Sequence, residues 1–481
     1  MLRAASGESP PPALAGVEIA GLTADSRRIA PGFLFAALPG LRADGRSFIA
    51  DAVARGAAAV LAPTGTPWPD GVPRRPLIED PEPRRMLARL AAAHAGTQPE
   101  IVVAVTGTNG KTSTVEFLRQ IFAGAGRRAA SLGTLGVAAP GFVTGAGLTT
   151  PDPVALAQML AQLAAAGIDA AAIEASSHGL DQFRLDGLRL AAAGFSNLTR
   201  DHLDYHRSMA AYRAAKLRLF GELLPEGAAA AASADMDAET LAALGAIAVR
   251  RRLDLRTVGE AGEAIRLLRA VPQADGQVLE LVSGGARRSI LLRLPGRFQA
   301  DNALLAVALA DALGVPEALD ALSALTGVRG RMELAARLPN GAAAYVDYAH
   351  TPDALARLLA ALRPHTAGRL VVVFGAGGDR DPGKRALMGE AVAAGADVAI
   401  VTDDNPRSER PEAIRAAVRA GCPGAVEIGD RTAAIAAGLA ELRAGDVLAV
   451  AGKGHEQGQS VGGLILPFDD AATIRRLAGV G

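Results

Sequence analysis

The stretch Ile101-Val102-Val103-Ala104-Val105-Thr106-Gly107-Thr108-Asn109-Gly110-Lys111-Thr112-Ser113 decides the fold class. Ile101 to Val105 is a β-branched run that predicts a strand, Thr106 to Lys111 is a glycine-rich turn, and helical spacing follows Ser113. Strand, turn and helix in that order bring backbone N–H groups and a helix N-terminus to where phosphate oxygens sit, with Lys111 adding charge and Thr112 able to reach a magnesium ion. The usual phosphate-loop pattern has a further glycine where this chain has Val105, so the loop is a variant. Gly107, Thr108, Asn109, Gly110, Lys111, Thr112 and Ser113 are the expected nucleotide-binding residues.

On either side the same α/β grammar continues. Residues 14–95 alternate short apolar runs, Phe33 to Leu38 and Ala57 to Leu61, with Gly, Pro and Asp punctuation. A Pro-rich passage, a helix-like Met86 to His94 and the break Gly96-Thr97-Gln98-Pro99 predict a boundary near residue 98. After the loop, Ala170 to Ile173 and Leu190 to Phe195 are strand candidates that run into polar clusters. From about residue 332, Leu370 to Phe374, Val398 to Val401 and Val447 to Val450 are separated by alanine-rich stretches, which predicts parallel βα units. Polar motifs follow each strand, at the edge where open α/β sheets bind ligands. The expected architecture is α/β in three domains, 1–98, 99–331 and 332–481.

At 481 residues the chain has ample core for this plan. Fifty Lys and Arg balance fifty Asp and Glu, so no global field draws it to nucleic acid or to an anionic membrane. Its one cysteine, Cys422, excludes an internal disulfide framework and suits a reducing compartment. Charges interrupt every alanine-rich run long enough to span a bilayer, and Met1 to Gly16 lacks a secretory apolar core. A cytoplasmic monomer without membrane insertion is expected.

Further motifs recur along nearly the whole chain: Thr149-Thr150-Pro151, Glu174-Ala-Ser-Ser-His178, Asn197-Leu-Thr-Arg-Asp-His202-Leu-Asp204, Lys216, Gly296-Arg-Phe with Asn302, Gly330-Arg-Met-Glu333 and Asp347-Tyr-Ala-His350. With Gly107 to Thr112 they resemble the Mur ligase family. The resemblance implies a small N-terminal UDP-substrate domain, a central P-loop ATPase-like domain and a C-terminal Rossmann-like domain that takes the amino acid. It also implies a two-step reaction, in which ATP phosphorylates a carboxylate and an amine then displaces phosphate. Such chemistry gathers several anionic centres, which metal ions and fixed cations must neutralise.

By this resemblance Lys111, Glu174, His202 and Lys216 are catalytic. Thr112 and Glu174 hold one Mg²⁺, and His202 and Lys216 serve a second, Lys216 as a carbamylated N6-carboxylysine. Asn302, Arg331, Asp347 and His350 contact ATP. Ser26, Thr149, Thr150, Ser176, Gln182 and Arg184 bind the UDP-muramoyl dipeptide. Taken alone, Glu174 reads as a capping carboxylate, Lys216 as a solvated lysine and Arg331 as a hinge salt bridge. Leu41-Arg42-Ala43 departs from a His-Gln-Ala stretch with which relatives touch uracil.

Asp404-Asn405-Pro406-Arg407 resembles the diaminopimelate form of the family signature, its arginine suited to grip a second carboxylate through two bonds. Arg380, Gly452 and Glu456 match the remaining contacts to that amino acid. The implied activity is addition of meso-diaminopimelate to UDP-N-acetylmuramoyl-L-alanyl-D-glutamate in peptidoglycan precursor synthesis. Three alternatives stay open here: a lysine-adding relative, folylpolyglutamate synthase, and a nucleotide-binding scaffold without catalysis. Alone, Arg407 reads as an arginine leading into a helix.

Overall fold

The computed structural model describes residues 16–40, 43–143, 145, 147–273 and 275–480. Leu41 and Arg42, of the stretch set against uracil, lie outside these. The chain divides into two compact units, one running to Val258 and joined by Leu305–Pro316, the other built from Gly259–Leu304 and the chain from Glu317 onward.

The first unit opens with a parallel sheet of Gly21–Thr23, Phe33–Ala36, Ala59–Pro63 and Leu77–Asp80, in that order. Pro83 starts the next helix, Pro83–Ala95, where its missing N–H leaves no bond unmade. The larger sheet runs Asp254–Gly259, Ala229–Ser233, Ala192–Phe195, Ile101–Thr106, Ala170–Glu174, Ala129–Gly133, all parallel, followed by the hairpin Gly136–Ala139 and Phe142–Val143. Its central strands are buried on both faces, which explains their unbroken apolar runs. Helix Lys111–Gly124 packs Val115, Phe117, Leu118, Ile121 and Phe122 into this core. It begins at Lys111, ahead of the helical spacing expected after Ser113, because Gly110 turns at φ 85 and its carbonyl accepts the Thr114 N–H.

The second unit holds an antiparallel meander, Ile265–Gln273, Gly276–Ser283 and Ala286–Leu292. It also holds a sheet ordered Glu333–Arg337, Ala343–Asp347, Val447–Ala451, Leu370–Phe374, Val398–Val401, Val426–Glu427. All but the first strand of that sheet are parallel. Strands 343–347, 370–374, 398–401 and 447–451 therefore deliver Tyr348 to His350, Gly375 to Arg380, Thr402 to Arg407 and Gly452 to Glu456 to one edge. No helix is long and apolar enough to cross a membrane among the described residues.

Candidate active site

The phosphate loop is braced from the neighbouring strand. Val105 sits inside the sheet in register with Glu174 and Gly194, so a glycine at that position has no task here. Gly107 takes the tight place instead: its φ is 148, and a Cβ there would overlap Ser196 Oγ. Ser196 Oγ donates to Asn109 O at 2.6 Å, Asn109 N–H donates to Asn197 Oδ1 at 3.0 Å, and Thr108 N–H donates to Asn197 O at 2.9 Å.

Two lysines share one carbonyl of this loop. Lys111 Nζ donates to Gly107 O at 2.8 Å and Thr108 O at 2.9 Å, and Lys216 Nζ donates to Gly107 O at 2.7 Å. Lys216, on helix Met209–Arg218, is only 1 % exposed, with Nζ 4.6 Å from the centre of the Tyr212 ring. Burial, then the neighbouring Lys111 charge, pulls its pKa well below the usual 10.5, favouring the neutral amine. A solvated lysine is thereby excluded.

Glu174 ends its strand 2 % exposed. Its Oε1 accepts from Thr112 Oγ1 and Thr134 N–H, both at 2.9 Å, and no cationic side chain pairs with it among the described residues. Burying a carboxylate without a cation is unfavourable, and the side-chain oxygens of Thr112 and Glu174 are of the type that could hold a hard cation. No group of three or more His, Cys, Asp or Glu gathers to hold a metal among the described residues. His202, half-exposed at φ 52, places Nε2 3.5 Å from Asp201 Oδ2 and its ring 4.9 Å from His178. Tyr212 links this corner to the loop, its hydroxyl 3.1 Å from Thr108 Oγ1.

Five of the residues assigned to the muramoyl peptide adjoin Glu174. Thr150 Oγ1 donates to Glu174 O at 2.8 Å and lies 3.0 Å from Ser176 Oγ, while Thr149 Oγ1 lies 3.0 Å from Thr134 Oγ1. Arg184 donates to Thr150 O at 2.6 Å and to Gln182 Oε1 at 2.7 Å. Ser26 is buried in a short 3₁₀ turn beside the first sheet, capped by Asp25.

In the second unit Asn302 is buried on helix Arg297–Ala312. Arg331 lies 4.9 Å over the Tyr348 ring and makes no salt bridge among the described residues. Asp347 accepts the N–H groups of Met332 and Ala349, each at 2.8 Å, and burial raises its pKa. His350 is exposed, with Nδ1 2.8 Å from Tyr348 O. Beside them, His455 keeps a buried, unpartnered Nδ1, and burial, reinforced by Arg331, lowers its pKa from 6.5 to about 4. The folded state thus holds this imidazole neutral, and stability is lost as pH falls from about 6.5 towards 4. In thermal melts over that window, wild type should lose more in its midpoint than His455→Gln; parallel curves would contradict this.

Asp404, Asn405 and Pro406 are buried. Arg407 is no helix-leading residue, since the helix starts at Pro411; it sits at φ 53 and its Nη1 donates to Gly378 O at 2.6 Å. Nε and Nη2 of the fork have no partner among the described residues. Gly452, at φ 116, leaves room for the carboxylate of Asp404, whose Oδ2 is buried without a partner and whose pKa burial raises. Glu456 Oε2 is already engaged by Asn405 Nδ2 at 2.9 Å and Lys453 Nζ at 3.1 Å. Arg380 is exposed. Sequence reasoning missed Ser196, Tyr212 and Lys453 as contacts, although Tyr212 stands four residues before Lys216 and Lys453 directly follows Gly452.

Three family models match the chain: "Mur ligase family, catalytic domain" over 18–95, "Mur ligase middle domain" over 105–310 and "Mur ligase, glutamate ligase domain" over 330–454. The UDP-N-acetylmuramoyl-L-alanyl-D-glutamate--2,6-diaminopimelate ligase of Caulobacter vibrioides is 55% identical over 471 residues, 96% of each chain. A solved structure of a ligase with that name aligns with TM-score 0.73 at 33% identity, covering 96% of this chain and 95% of that one. Mycobacterium tuberculosis folylpolyglutamate synthase, complexed with ADP and AMPPCP, aligns with TM-score 0.62 at 22% identity over 83% of this chain and 95% of its own, a likeness of fold alone. With three family models in order and full-length identity of this size, the chain belongs to the Mur ligase family.

Proposed function

We propose that the chain is the ATP-dependent ligase that joins meso-diaminopimelate to UDP-N-acetylmuramoyl-L-alanyl-D-glutamate. The observation that carries this reading is the 55% identity, over nearly its full length, to a ligase of that name. Residues 1–98 take the UDP end of the substrate, 99–331 bind ATP and activate, and 332–481 bind the amino acid; the matched segments 18–95, 105–310 and 330–454 support this division.

Lys111 and the N-terminus of helix Lys111–Gly124 neutralise the triphosphate, with Asn302, Arg331, Asp347 and His350 as its further contacts. A carboxylate oxygen of the glutamyl residue attacks the γ-phosphorus and ADP leaves, giving an acyl phosphate. The amine of diaminopimelate then attacks the acyl carbon, the C–O bond to phosphate breaks with its electron pair, and the amine gives up a proton. Ser26, Thr149, Thr150, Ser176, Gln182 and Arg184 hold the nucleotide-sugar peptide. Magnesium, when bound, lowers the repulsion between phosphate oxygens and the attacking carboxylate. Thr112 and Glu174 would hold one ion and His202 with Lys216 a second. As a free amine donating to Gly107 O, Lys216 does not fit a hard cation; its neutral form reacts with CO₂ to a carbamate, releasing a proton, and so becomes an oxygen donor.

At the other end Arg407, with Gly378 O fixing Nη1, offers Nε and Nη2 to the second carboxylate of diaminopimelate. Lysine has no such group, which disfavours the lysine-adding alternative. Asp404, Asn405, Pro406, Arg380, Gly452 and Glu456 complete the pocket. The enzyme acts as a cytoplasmic monomer.

Phosphate release tests the reading. It should require the UDP-dipeptide, ATP, magnesium and diaminopimelate together, and a folate in place of the UDP-dipeptide should give none. ATP binding without turnover in the complete mixture would point to a scaffold. Gly107→Ala, whose Cβ would meet Ser196 Oγ, should weaken ATP binding by at least about tenfold in calorimetry; wild-type affinity would contradict the role given to this loop.

A further inference from the structure

The residues assigned to the amino acid are held by groups that no step above uses. Lys453 is completely buried, and its Nζ donates to Asn405 Oδ1 at 3.0 Å and Glu456 Oε2 at 3.1 Å. Asn405 Nδ2 closes the triangle on that same Glu456 oxygen at 2.9 Å. A buried ammonium persists only where its donors are taken up, and here both acceptors belong to the amino-acid set.

The same segment is also held by a two-stranded hairpin, Gly458–Val461 with Leu464–Pro467. Ser460 N–H donates to Asn405 Oδ1 at 2.9 Å, and the Gln459 amide donates to Asp404 O at 2.8 Å. Arg407 N–H donates to Ser460 O at 2.9 Å, and Gly462 N–H donates to Arg407 O at 2.7 Å. The left-handed φ of 53 at Arg407 is unfavourable for a residue with a Cβ, and these two bonds hold the backbone there.

We propose that Lys453 and the hairpin 458–467 form a positioning device for the amino-acid pocket. Lys453 fixes Glu456 and Asn405, leaving Glu456 Oε1 for the substrate ammonium, and the hairpin fixes the Arg407 fork for the second carboxylate. Neither touches the substrate; both set the distance between the two ends that do. This rests on the diaminopimelate reading above.

The test uses the full chain carrying Lys453→Met or Gln459→Ala, with phosphate release titrated against each of the three substrates and thermal melts run alongside. In both variants KM for diaminopimelate should rise at least about tenfold, while KM for ATP and the UDP-dipeptide stays within about twofold. Because the hairpin acts through Arg407, Gln459→Ala placed on an Arg407→Ala background should add less than about twofold. Three KM values rising together, an unchanged diaminopimelate KM in Gln459→Ala, or full additivity with Arg407→Ala would each overturn the proposal. Should Lys453→Met fail to fold, the half-buried Gln459 decides alone. A wild-type chain that makes no product with diaminopimelate sinks the functional reading and this proposal with it; an active wild type with unaltered variants sinks the proposal only.

Discussion

Lys216→Met is expected to cut ligase turnover by at least about a hundredfold while leaving the protein as stable as wild type or more so. The two halves of this expectation have one cause. Lys216 sits 1 % exposed against Tyr212, beside Lys111, with a single carbonyl acceptor, so its charged form is disfavoured in the folded state. Its folded pKa lies below the unfolded value of 10.5, so burying it carries no penalty above about pH 10.5, and the penalty grows as pH falls towards the folded pKa. Methionine fills similar space without that penalty. Protein melts in bicarbonate-free buffer near neutral pH should show the variant's midpoint at or above that of wild type, and phosphate release should show the activity gone. A variant that melts early yet turns over normally would mean that Lys216 is a structural lysine. Depleting CO₂ and bicarbonate should likewise lower wild-type activity, and intact-protein mass spectra should follow the loss of the carboxyl adduct.

The second large effect belongs to Arg407. Arg407→Ala removes a guanidinium held by Gly378 O, whose remaining fork edge is proposed to grip the second carboxylate that lysine lacks. Losing one partner of a desolvated charge pair typically costs about 2–5 kcal/mol, so apparent affinity for diaminopimelate should fall well over tenfold. Its preference over lysine should narrow by a similar factor. ATP-dependent activation of the UDP-dipeptide should persist, because the role proposed for Arg407 lies in binding the amino acid and not in the first step. Unchanged kinetics with diaminopimelate would remove Arg407 from the pocket.

Local order was legible in the residues; burial was not. Ile101 to Ser113 announces strand, turn and helix because β-branched residues, glycines and Lys-Thr-Ser each favour one backbone state. Leu370–Phe374 and Val398–Val401 appear as strands over the same residues that their apolar runs mark. Ala229–Ser233 is harder: alanine prefers helix, and it becomes strand only because Ala230, Ala231 and Ala232 are wholly buried between parallel neighbours. The meander 265–292 went unread although its signal was present. Leu279-Glu280-Leu281 alternates buried, exposed, buried, and Gly284-Gly285, both at positive φ, forms the two-residue turn between its last two strands. In the candidate site, residue types pointed to a phosphate-facing role for Lys111, whereas the roles proposed for Glu174 and Arg407 came from the family resemblance and not from the residues alone. The tyrosine under Lys216 is its i,i+4 neighbour on helix Met209–Arg218, but no spacing could give the Gly107 carbonyl shared with Lys216 or the bond of Lys453 to Asn405, since each joins segments distant in the chain.

One measurement bears on the whole mechanism. The UDP-dipeptide, labelled with ¹⁸O in its glutamyl carboxylates, is incubated with enzyme, ATP, magnesium and an equal mixture of meso-diaminopimelate and lysine, and both product and released phosphate are weighed by mass spectrometry. The predicted result is a product heavier by diaminopimelate less one labelled water, with one ¹⁸O in the phosphate. A lysine adduct, or phosphate without label, would contradict an arginine-selected amine meeting an acyl phosphate.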